Sequence, residues 1–175
     1  YWEASSLGQV CLLLGIKPTP ERRMIAAADH CLRDAYAWRC PGVDPAELEK
    51  LRVAQKAAFE RRPIEEIRAE IVEACRALMM YERRRIMQTD EWYDGGADRP
   101  TQWADFGDST IPGLPEAGAI TGVAYVATVT ERDGRRKRVF SGDPDQVRAW
   151  TADEGKTLDG LYGDPARGFA GGYLR

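Results

Sequence analysis

The sequence predicts a mainly α-helical fold: an antiparallel three-helix bundle with a short leading helix, followed by a long irregular extension that contains one β-hairpin and a short helix. Three observations favour this fold: helix starts in the first half, apolar residues at helical spacing there, and glycines concentrated in the second half. Residues 1–90 contain three glycines, whereas residues 91–175 contain the other fourteen. We therefore expect a helical domain over residues 1–90 and an extended, aromatic and glycine-rich segment over residues 91–175.

The first half contains three helix starts in which proline stands at the first helical turn and an acidic residue follows. They are Thr19-Pro20-Glu21, Asp44-Pro45-Ala46-Glu47 and Arg62-Pro63-Ile64-Glu65-Glu66. The N–H that proline lacks has no partner at this position of a helix, and the helix dipole favours an acidic side chain there. Asp44 and Glu47 also form a variant of the capping box.

These starts predict three long helices, and a shorter helix leads them. The leading helix is capped by Ser5 or Ser6 and ends at Gly15. The long helices are expected from Pro20 to about Trp38, from Pro45 to about Arg61 and from Pro63 to about Gln88. Apolar residues recur in each with the 3.6-residue period, and Phe59 is expected to face inward. Short connections between the helices favour antiparallel neighbours.

The segment from Asp90 to Thr121 is predicted to be irregular, because glycine and proline interrupt any regular element. Disordered linkers are normally poor in aromatic residues, but this segment is not. We therefore expect it to dock its rings on a surface, either of its own helical domain or of a partner. The rings belong to Trp92, Tyr93, Trp103 and Phe106.

A β-hairpin is predicted after this segment. The stretch from Val123 to Thr130 alternates and is rich in β-branched residues, Asp133-Gly134 is a strong turn signal, and the chain returns through residues 138–140. Asp143 caps a short helix, and residues 155–175 have the composition of a glycine-rich tail. A two-stranded hairpin alone is marginal in water, so we expect it to lean on another surface.

Composition excludes several classes of function. The net charge of −3 argues against a general binder of the phosphate backbone, so no nucleic-acid partner is predicted. No run approaches the ~20 apolar residues of a membrane-spanning helix. The cysteines form no C-x-x-C pair and His30 is the single histidine, so we predict no metal site and no cofactor. The four cysteines are expected to be buried free thiols. A disulfide between Cys31 and Cys40 is an alternative that the sequence leaves open. The cysteines are Cys11, Cys31, Cys40 and Cys75.

No general base can be placed beside a nucleophile, so we predict that the protein is not an enzyme.

Two clusters of basic residues are further candidates for binding. Arg83, Arg84 and Arg85 complement the dipole at the end of the fourth helix, and they are also candidates to contact an acidic protein or an anionic lipid. Residues 135–138 are expected to form a solvated turn. The carboxylates of Asp105, Asp108 and Glu116 lack the spacing of a calcium-binding loop.

The helical half resembles the LYR-motif family of small mitochondrial proteins, and more narrowly the LYR-type accessory subunit of respiratory complex I. The match spans roughly residues 20–96. Cys31-Leu32-Arg33 stands at the family's Leu-Arg position, with an aromatic residue, Trp38, after it. Phe59 stands at the family's phenylalanine. The third helix of the family is matched by Ile67, Ile71, Ala74 and Leu78.

The resemblance implies a non-catalytic accessory subunit of a respiratory-chain assembly, mitochondrial and peripheral to the inner membrane, whose partners are other protein subunits. Leu32, Arg33 and Phe59 are then candidate contact residues, together with the arginine cluster of the fourth helix and the four aromatic residues of the extended segment. In the family, a Leu-Tyr-Lys/Arg motif helps to bind an acyl carrier protein. Acyl carrier protein is therefore a candidate partner. However, residues 27–29 replace the motif in this chain, and this replacement argues against carrier binding. The replacing residues are Ala27, Ala28 and Asp29.

Two alternatives stay open. Residues 6–18 resemble the first helix and turn of a MerR-type helix-turn-helix, which is typical of a small DNA-binding regulator. A structural protein of a phage or virus would use a wrapping C-terminal segment in the same way as an accessory subunit.

Overall fold

The structure is a computed structural model that describes residues 1–92, 103–108 and 111–175, with side chains up to residue 87 in the first range. The chain divides into two compact units, Tyr1–Glu70 and Ile71–Arg175. The division falls inside a long helix, ahead of the change in glycine content at residue 90 that we used to place the predicted boundary.

The N-terminal unit is entirely helical in its regular structure, as the sequence predicts. Its last helix, α5, continues into the second unit. The helices are α1 (Ser6–Leu13), α2 (Pro20–His30), α3 (Leu32–Tyr36), α4 (Pro45–Glu60) and α5 (Ile64–Trp92).

The predicted helix starts are confirmed, and side-chain caps explain the first two. The Arg22 N–H donates to Thr19 Oγ1 at 3.2 Å, and the Ala46 N–H donates to Asp44 Oδ1 at 2.8 Å. Each bond satisfies a backbone donor that has no partner inside its helix. The end of α4 is set by Arg61, which takes the left-handed conformation with a φ of 56°.

The predicted helix from Pro20 to Trp38 is wrong in its second half. It breaks at Cys31, whose φ of −148° lies outside the helical region, and α3 ends at Tyr36. Trp38 then takes a positive φ of 62° and is exposed, so it does not extend the apolar face. The break lets the chain turn back and bury one core, which consists of Ala27, Cys31, Ala35, Cys40, Val43 and Leu48.

The C-terminal unit contains a five-stranded sheet in the order β1-β2-β3-β5-β4. Strand β1 pairs with β2 in parallel, and the remaining neighbours are antiparallel. Two helices, α6 and α7, accompany the sheet. The elements are β1 (Ala104–Asp105), α6 (Leu114–Thr121), β2 (Tyr125–Thr130), β3 (Arg136–Ser141), α7 (Pro144–Ala152), β4 (Asp159–Asp164) and β5 (Phe169–Tyr173), with 3₁₀ turns at Glu154–Thr157 and Pro165–Arg167.

The expectation of a long irregular extension is therefore wrong for the described part of this unit, although its hairpin and short helix are confirmed. Strands β2 and β3 form the hairpin, and a capping box between Asp143 and Gln146 begins α7. The predicted glycine-rich tail instead supplies β4 and β5. Glycine is needed there for close packing: a Cβ at Gly171 would stand 2.7 Å from Tyr162 Oη and 2.9 Å from the Arg138 carbonyl oxygen.

Stacked aromatic rings hold α7 against the sheet. The rings of Phe140 and Trp150 are stacked with centroids 5.3 Å apart, and Trp103 meets Phe140 edge-on at 5.2 Å. A second cluster joins the α5 residues Ala74 and Leu78 to α6 and β2. The unit therefore has its own apolar core, which buries the rings of Trp103, Phe140 and Trp150.

We expect this sheet to be protected in the isolated protein. Backbone amides of β2, β3 and β5 should exchange with deuterium at least about a thousandfold more slowly than in an unfolded chain, because opening them requires loss of the core. Hydrogen exchange with fragment mass spectrometry would measure this, with the exposed turn at residues 132–134 as the fast internal reference. Fast exchange throughout residues 125–173 would contradict the fold.

Candidate protein-docking surface

Helix α1 begins at a tight contact with the first residues of the chain. Ser5 Oγ accepts from the Gly8 N–H at 3.0 Å and donates to the Trp2 carbonyl oxygen at 2.8 Å. A Cβ at Gly8 would lie 1.8 Å from that same carbonyl oxygen, so no other residue fits this position without movement. The sequence Ser-Ser-Leu-Gly thus sets both the start of the helix and the direction in which it leaves.

One face of α1 packs inside the N-terminal unit. Trp2, Cys11 and Ala26 form a buried cluster, and Leu7 packs against it. The guanidinium carbon of Arg23 lies 5.8 Å from the centre of the Trp2 ring, a distance at which cation–π attraction contributes. These contacts attach α1 to α2.

A glycine ends α1. Gly15 has a φ of +65°, its N–H donates to the Leu12 carbonyl oxygen at 3.2 Å, and the Ile16 N–H donates to the Cys11 carbonyl oxygen at 2.8 Å. This pair of bonds is the Schellman motif, which satisfies the last carbonyl groups of a helix. The predicted end at Gly15 is confirmed.

The other side of α1 is exposed and apolar. Leu13 is 87% exposed, Leu14 66% and Leu12 59%. Together with the less exposed Val10 and Ile16 they form what we call the α1 apolar surface. Helix α1 contains no charged residue. An eight-residue helix on the outside of a unit normally carries charged or polar residues on its outer face, so this surface has the composition of an interface.

The contact residues that the family resemblance implies in the N-terminal unit differ in how exposed they are. Phe59 is 82% exposed, which corrects the expectation that it faces inward; Val53 and Ala57 of α4 are buried instead. Leu32 is half-buried against the core around Cys31, and Arg33 is half-buried beside it on α3. The spacing of apolar residues did not predict the exposure of Phe59, because the residues that α4 buries are Leu48, Val53 and Ala57.

The aromatic residues of the second half are mostly internal where the structure describes them. Trp103 is buried, and its carbonyl oxygen accepts from the Tyr81 hydroxyl at 2.6 Å. Phe106 packs against the cluster of α5, α6 and β2. The rings of Trp103 and Phe106 therefore contact their own unit, which corrects their placement on a partner surface. Trp92 is the last residue of α5, and Tyr93 lies outside the described residues.

The arginine cluster of α5 is divided. Arg83 and Arg84 are exposed, whereas Arg85 is half-buried and forks onto Glu82 with N–O distances of 2.6 and 2.9 Å. Hydrogen bonds from Arg85 lower the pKa of the Glu82 carboxyl. This pair lies on the wall of a cleft of about 560 Å³ whose other walls include Asp143 and Gln146 of α7. The charges of Arg85 and Glu82 therefore offset each other on this wall, while Asp143 takes part in the capping box of α7.

Among the ion pairs that the structure describes in the C-terminal unit, Arg138 has the least exposed cation, with 13% of its side chain exposed. This burial corrects the expectation of a solvated turn for this residue. Its guanidinium donates to both oxygens of Asp105, at 2.8 and 3.1 Å, and to Glu154 at 3.2 Å. Burial alone raises the pKa of the Asp105 carboxyl, but hydrogen bonds from Arg138 and from the Gly107 N–H outweigh it, so the pKa lies below its ordinary value.

Two of the three candidate carboxylates thus serve as partners of arginines. Asp105 pairs with Arg138, Asp108 pairs with Arg136, and Glu116 is buried in α6. Within the described residues, no group of three or more His, Cys, Asp or Glu side chains could hold a metal ion. No described helix is both long and apolar enough to cross a membrane.

Comparison with protein-family models, with curated proteins and with solved structures finds no match to this chain. The resemblance to the LYR-motif family consequently stays a prediction. The α1 apolar surface was not among the contact residues that the resemblance implied. The signal for it is the run Val10-Cys11-Leu12-Leu13-Leu14, because consecutive apolar residues surround a helix and cannot all face one core.

Removing Arg138 should destabilise the C-terminal unit. We expect Arg138→Ala to lower the free energy of unfolding by about 1–3 kcal/mol, since Asp105 and Glu154 lose a partially buried partner. Thermal unfolding followed by circular dichroism measures this. Arg148→Ala is the matched control, because its ion pair with Asp145 is exposed and should contribute less than about 1 kcal/mol. Equal melting temperatures for the two variants would contradict a structural role for Arg138.

The same pair should make stability depend on pH. The pKa of Asp105 is lowered in the folded protein, so its contribution is present above the ordinary pKa of an aspartate and is lost as the pH falls through the folded value. We expect Asp105→Asn to melt several degrees below the unsubstituted chain at about pH 7 and to approach it at about pH 3. Melting curves across this range test the sign; a difference that grows on acidification would contradict it.

Proposed function

We propose that this protein is a non-catalytic subunit of a larger protein assembly and that it docks through the α1 apolar surface. The observation that carries the proposal is the exposure of Leu12, Leu13 and Leu14 on a helix whose opposite face is already packed. An exposed helix face normally carries charged or polar residues, whereas Gln9 and Ser6 are the polar residues among the exposed leucines and Val10 of this helix. The N-terminal unit thus leaves the α1 apolar surface exposed.

The energetics of burial support this role. Covering an exposed leucine side chain is worth about 1.5–3 kcal/mol, so burial of part of the α1 apolar surface can supply a substantial share of the affinity of an interface. Gly8 and the Schellman motif at Gly15 fix the helix before any partner binds. A surface that is fixed in advance loses little conformational entropy on docking. The occupant we propose is an apolar helical or sheet surface of another subunit.

The family resemblance indicates which assembly contains the protein. We propose that this assembly is a mitochondrial respiratory-chain complex, complex I in particular, with the chain peripheral to the inner membrane. The antiparallel three-helix bundle that the sequence predicts is part of this proposal. The exposed ring of Phe59 and the exposed side chains of Arg83 and Arg84 are further contacts that it can use, the arginines with an acidic subunit or an anionic lipid.

Acyl carrier protein is the less supported partner. Ala27 is fully buried in the core of the N-terminal unit, so it offers no side chain to a carrier, and Asp29 is exposed with a negative charge. An acidic carrier would be repelled by that charge. We therefore propose protein subunits, not the carrier, as the main partners.

In the DNA-binding alternative, α2 would be the recognition helix. The contacts at the start of α2 argue against this role. Arg22 donates to the Lys17 carbonyl oxygen at 3.1 Å, and Arg23 lies over the Trp2 ring. Both cations that would face phosphate or bases thus have intramolecular contacts. Duplex binding that weakens steeply with salt would favour the regulator instead.

The test is the assembly that carries the chain. We expect the tagged protein, expressed in its source cells, to migrate on native gels with a large complex, and Leu13→Glu to shift it to the mass of the free chain. A charge on Leu13 would be buried at the interface, while the free protein should keep its melting temperature within about 1 °C because this position is exposed. Native gels with mass spectrometry of the co-migrating subunits provide the readout.

Ala54→Glu is the matched control, since Ala54 is an exposed residue of α4, outside the α1 apolar surface, and receives the same charge. It should stay with the complex. Respiratory subunits in the complex support the proposal in full, whereas capsid or tail proteins would select the viral alternative. An unsubstituted chain that migrates alone would overturn the docking function.

A further inference from the structure

Two buried thiols meet at the turn that follows α3. Cys31 Sγ and Cys40 Sγ are 3.0 Å apart, with the residues 7% and 4% exposed. A disulfide bond is about 2.04 Å long, so the sulfur atoms need to approach by only about 1 Å. The sequence alone leaves a bridge between these two residues open.

The backbone around the pair favours this small movement. Cys31 lies at the break between α2 and α3, and Cys40 lies in a bend beyond Trp38. Neither sulfur is carried inside a regular helix, so both side chains can adjust. The turn itself is held by the Arg39 N–H, which donates to the Asp34 carbonyl oxygen at 2.8 Å, and by an ion pair between the side chains of the same two residues.

Other uses of two close thiols are less supported. The described residues provide no third ligand that would complete a metal site with them. Burial raises the pKa of both thiols, and the adjacent Cys40 raises that of Cys31 further. Thiolate is therefore scarce, as in structural cysteines and unlike catalytic ones. Simple packing explains the burial, but apolar residues would fill the same space without placing two sulfur atoms in contact.

We propose that Cys31 and Cys40 form a disulfide that closes the chain around α3. With a disulfide oxidant such as oxidised glutathione, one cysteine attacks a sulfur of the oxidant as its thiolate and releases one thiol. The second cysteine then attacks the mixed disulfide and releases the other thiol. Two protein thiols and one oxidant disulfide thus give one protein disulfide and two small thiols. The proposal does not depend on the docking function of α1.

The bond should stabilise the N-terminal unit. It closes a short loop and so restricts the unfolded chain, which predicts a rise in melting temperature of about 5–10 °C on oxidation. Formation should be slow, because the thiols are buried and the attacking species is the minor, deprotonated form. Local opening of the five-residue helix α3 is the step that admits the oxidant.

The experiment uses the full chain, incubated with oxidised glutathione or with a phosphine reductant, then alkylated under denaturing conditions and digested with trypsin. Arg33 and Arg39 lie between the two cysteines, so trypsin separates them and a bond between them joins two peptides. We expect this joined pair in the oxidised sample, two alkylated cysteines at positions 11 and 75, and the rise in melting temperature. Cys40→Ala should show neither the joined peptides nor the rise.

Several outcomes would overturn the proposal. Four alkylated cysteines after prolonged oxidation would show that the pair does not close, and glutathione retained on Cys31 or Cys40 would show that the second step fails. A joined peptide that contains Cys11 or Cys75 would show a different pairing. An equal rise in melting temperature for Cys40→Ala would assign the effect to oxidation elsewhere. Because the peptide analysis is made on the unsubstituted chain, it holds even if Cys40→Ala folds poorly.

Discussion

Burial of tryptophan rings is the constraint on which the packing of each unit depends. In the N-terminal unit, Trp2 lies under α1 and fixes the helix against α2. In the C-terminal unit, Trp150 stacks on Phe140 while Trp103 meets it from the edge. Aromatic rings bury more apolar area than other side chains, and such ring pairs are favourable beyond the area alone. Each unit is small, so a few large rings replace what a larger core would provide.

The small size of the N-terminal unit also leaves α1 incompletely buried. The N-terminal unit buries Cys11 and Gly8 on one side of the helix and has no further element to place over Leu12 and Leu13. Scattered exposed apolar residues are normal on protein surfaces, but a contiguous apolar patch commonly marks an interaction site. In this chain the patch is carried by a helix without charges, which distinguishes it from the exposed methionines of α5, whose neighbours are glutamates and arginines. The docking function we propose follows from this contrast.

Charged residues that are clustered in the sequence have separate roles in the structure. Of the run at residues 135–138, Arg138 turns inward to Asp105 and Glu154, whereas Arg135 pairs with Asp133 at the exposed hairpin end. Arg85 is likewise held by Glu82 while Arg83 and Arg84 are exposed. Strand alternation and helix rotation cause this division, because neighbours in sequence point in different directions. A basic run is thus a weak indication of a basic surface.

Local chemistry in the sequence determined the helix starts at Thr19 and Asp44, a serine cap at residue 5 or 6, the helix end at Gly15 and the hairpin around Gly134. These features depend on hydrogen bonds and dihedral angles within a few residues, so the sequence specifies them directly. The apolar run of α1 is visible in the sequence but its exposure is not, so the sequence did not place the candidate site among the predicted contact residues.

Only the tertiary structure decided the break at Cys31, the pairing of β4 with β5, the burial of Trp103 and the contact between Cys31 and Cys40. Glycine-rich strands carry little strand propensity, and at Gly171 the residue is required because another side chain occupies the space of a Cβ. Such contacts join residues that are distant in sequence, and they form because burying the core outweighs local preference. Local preference alone could not reveal them.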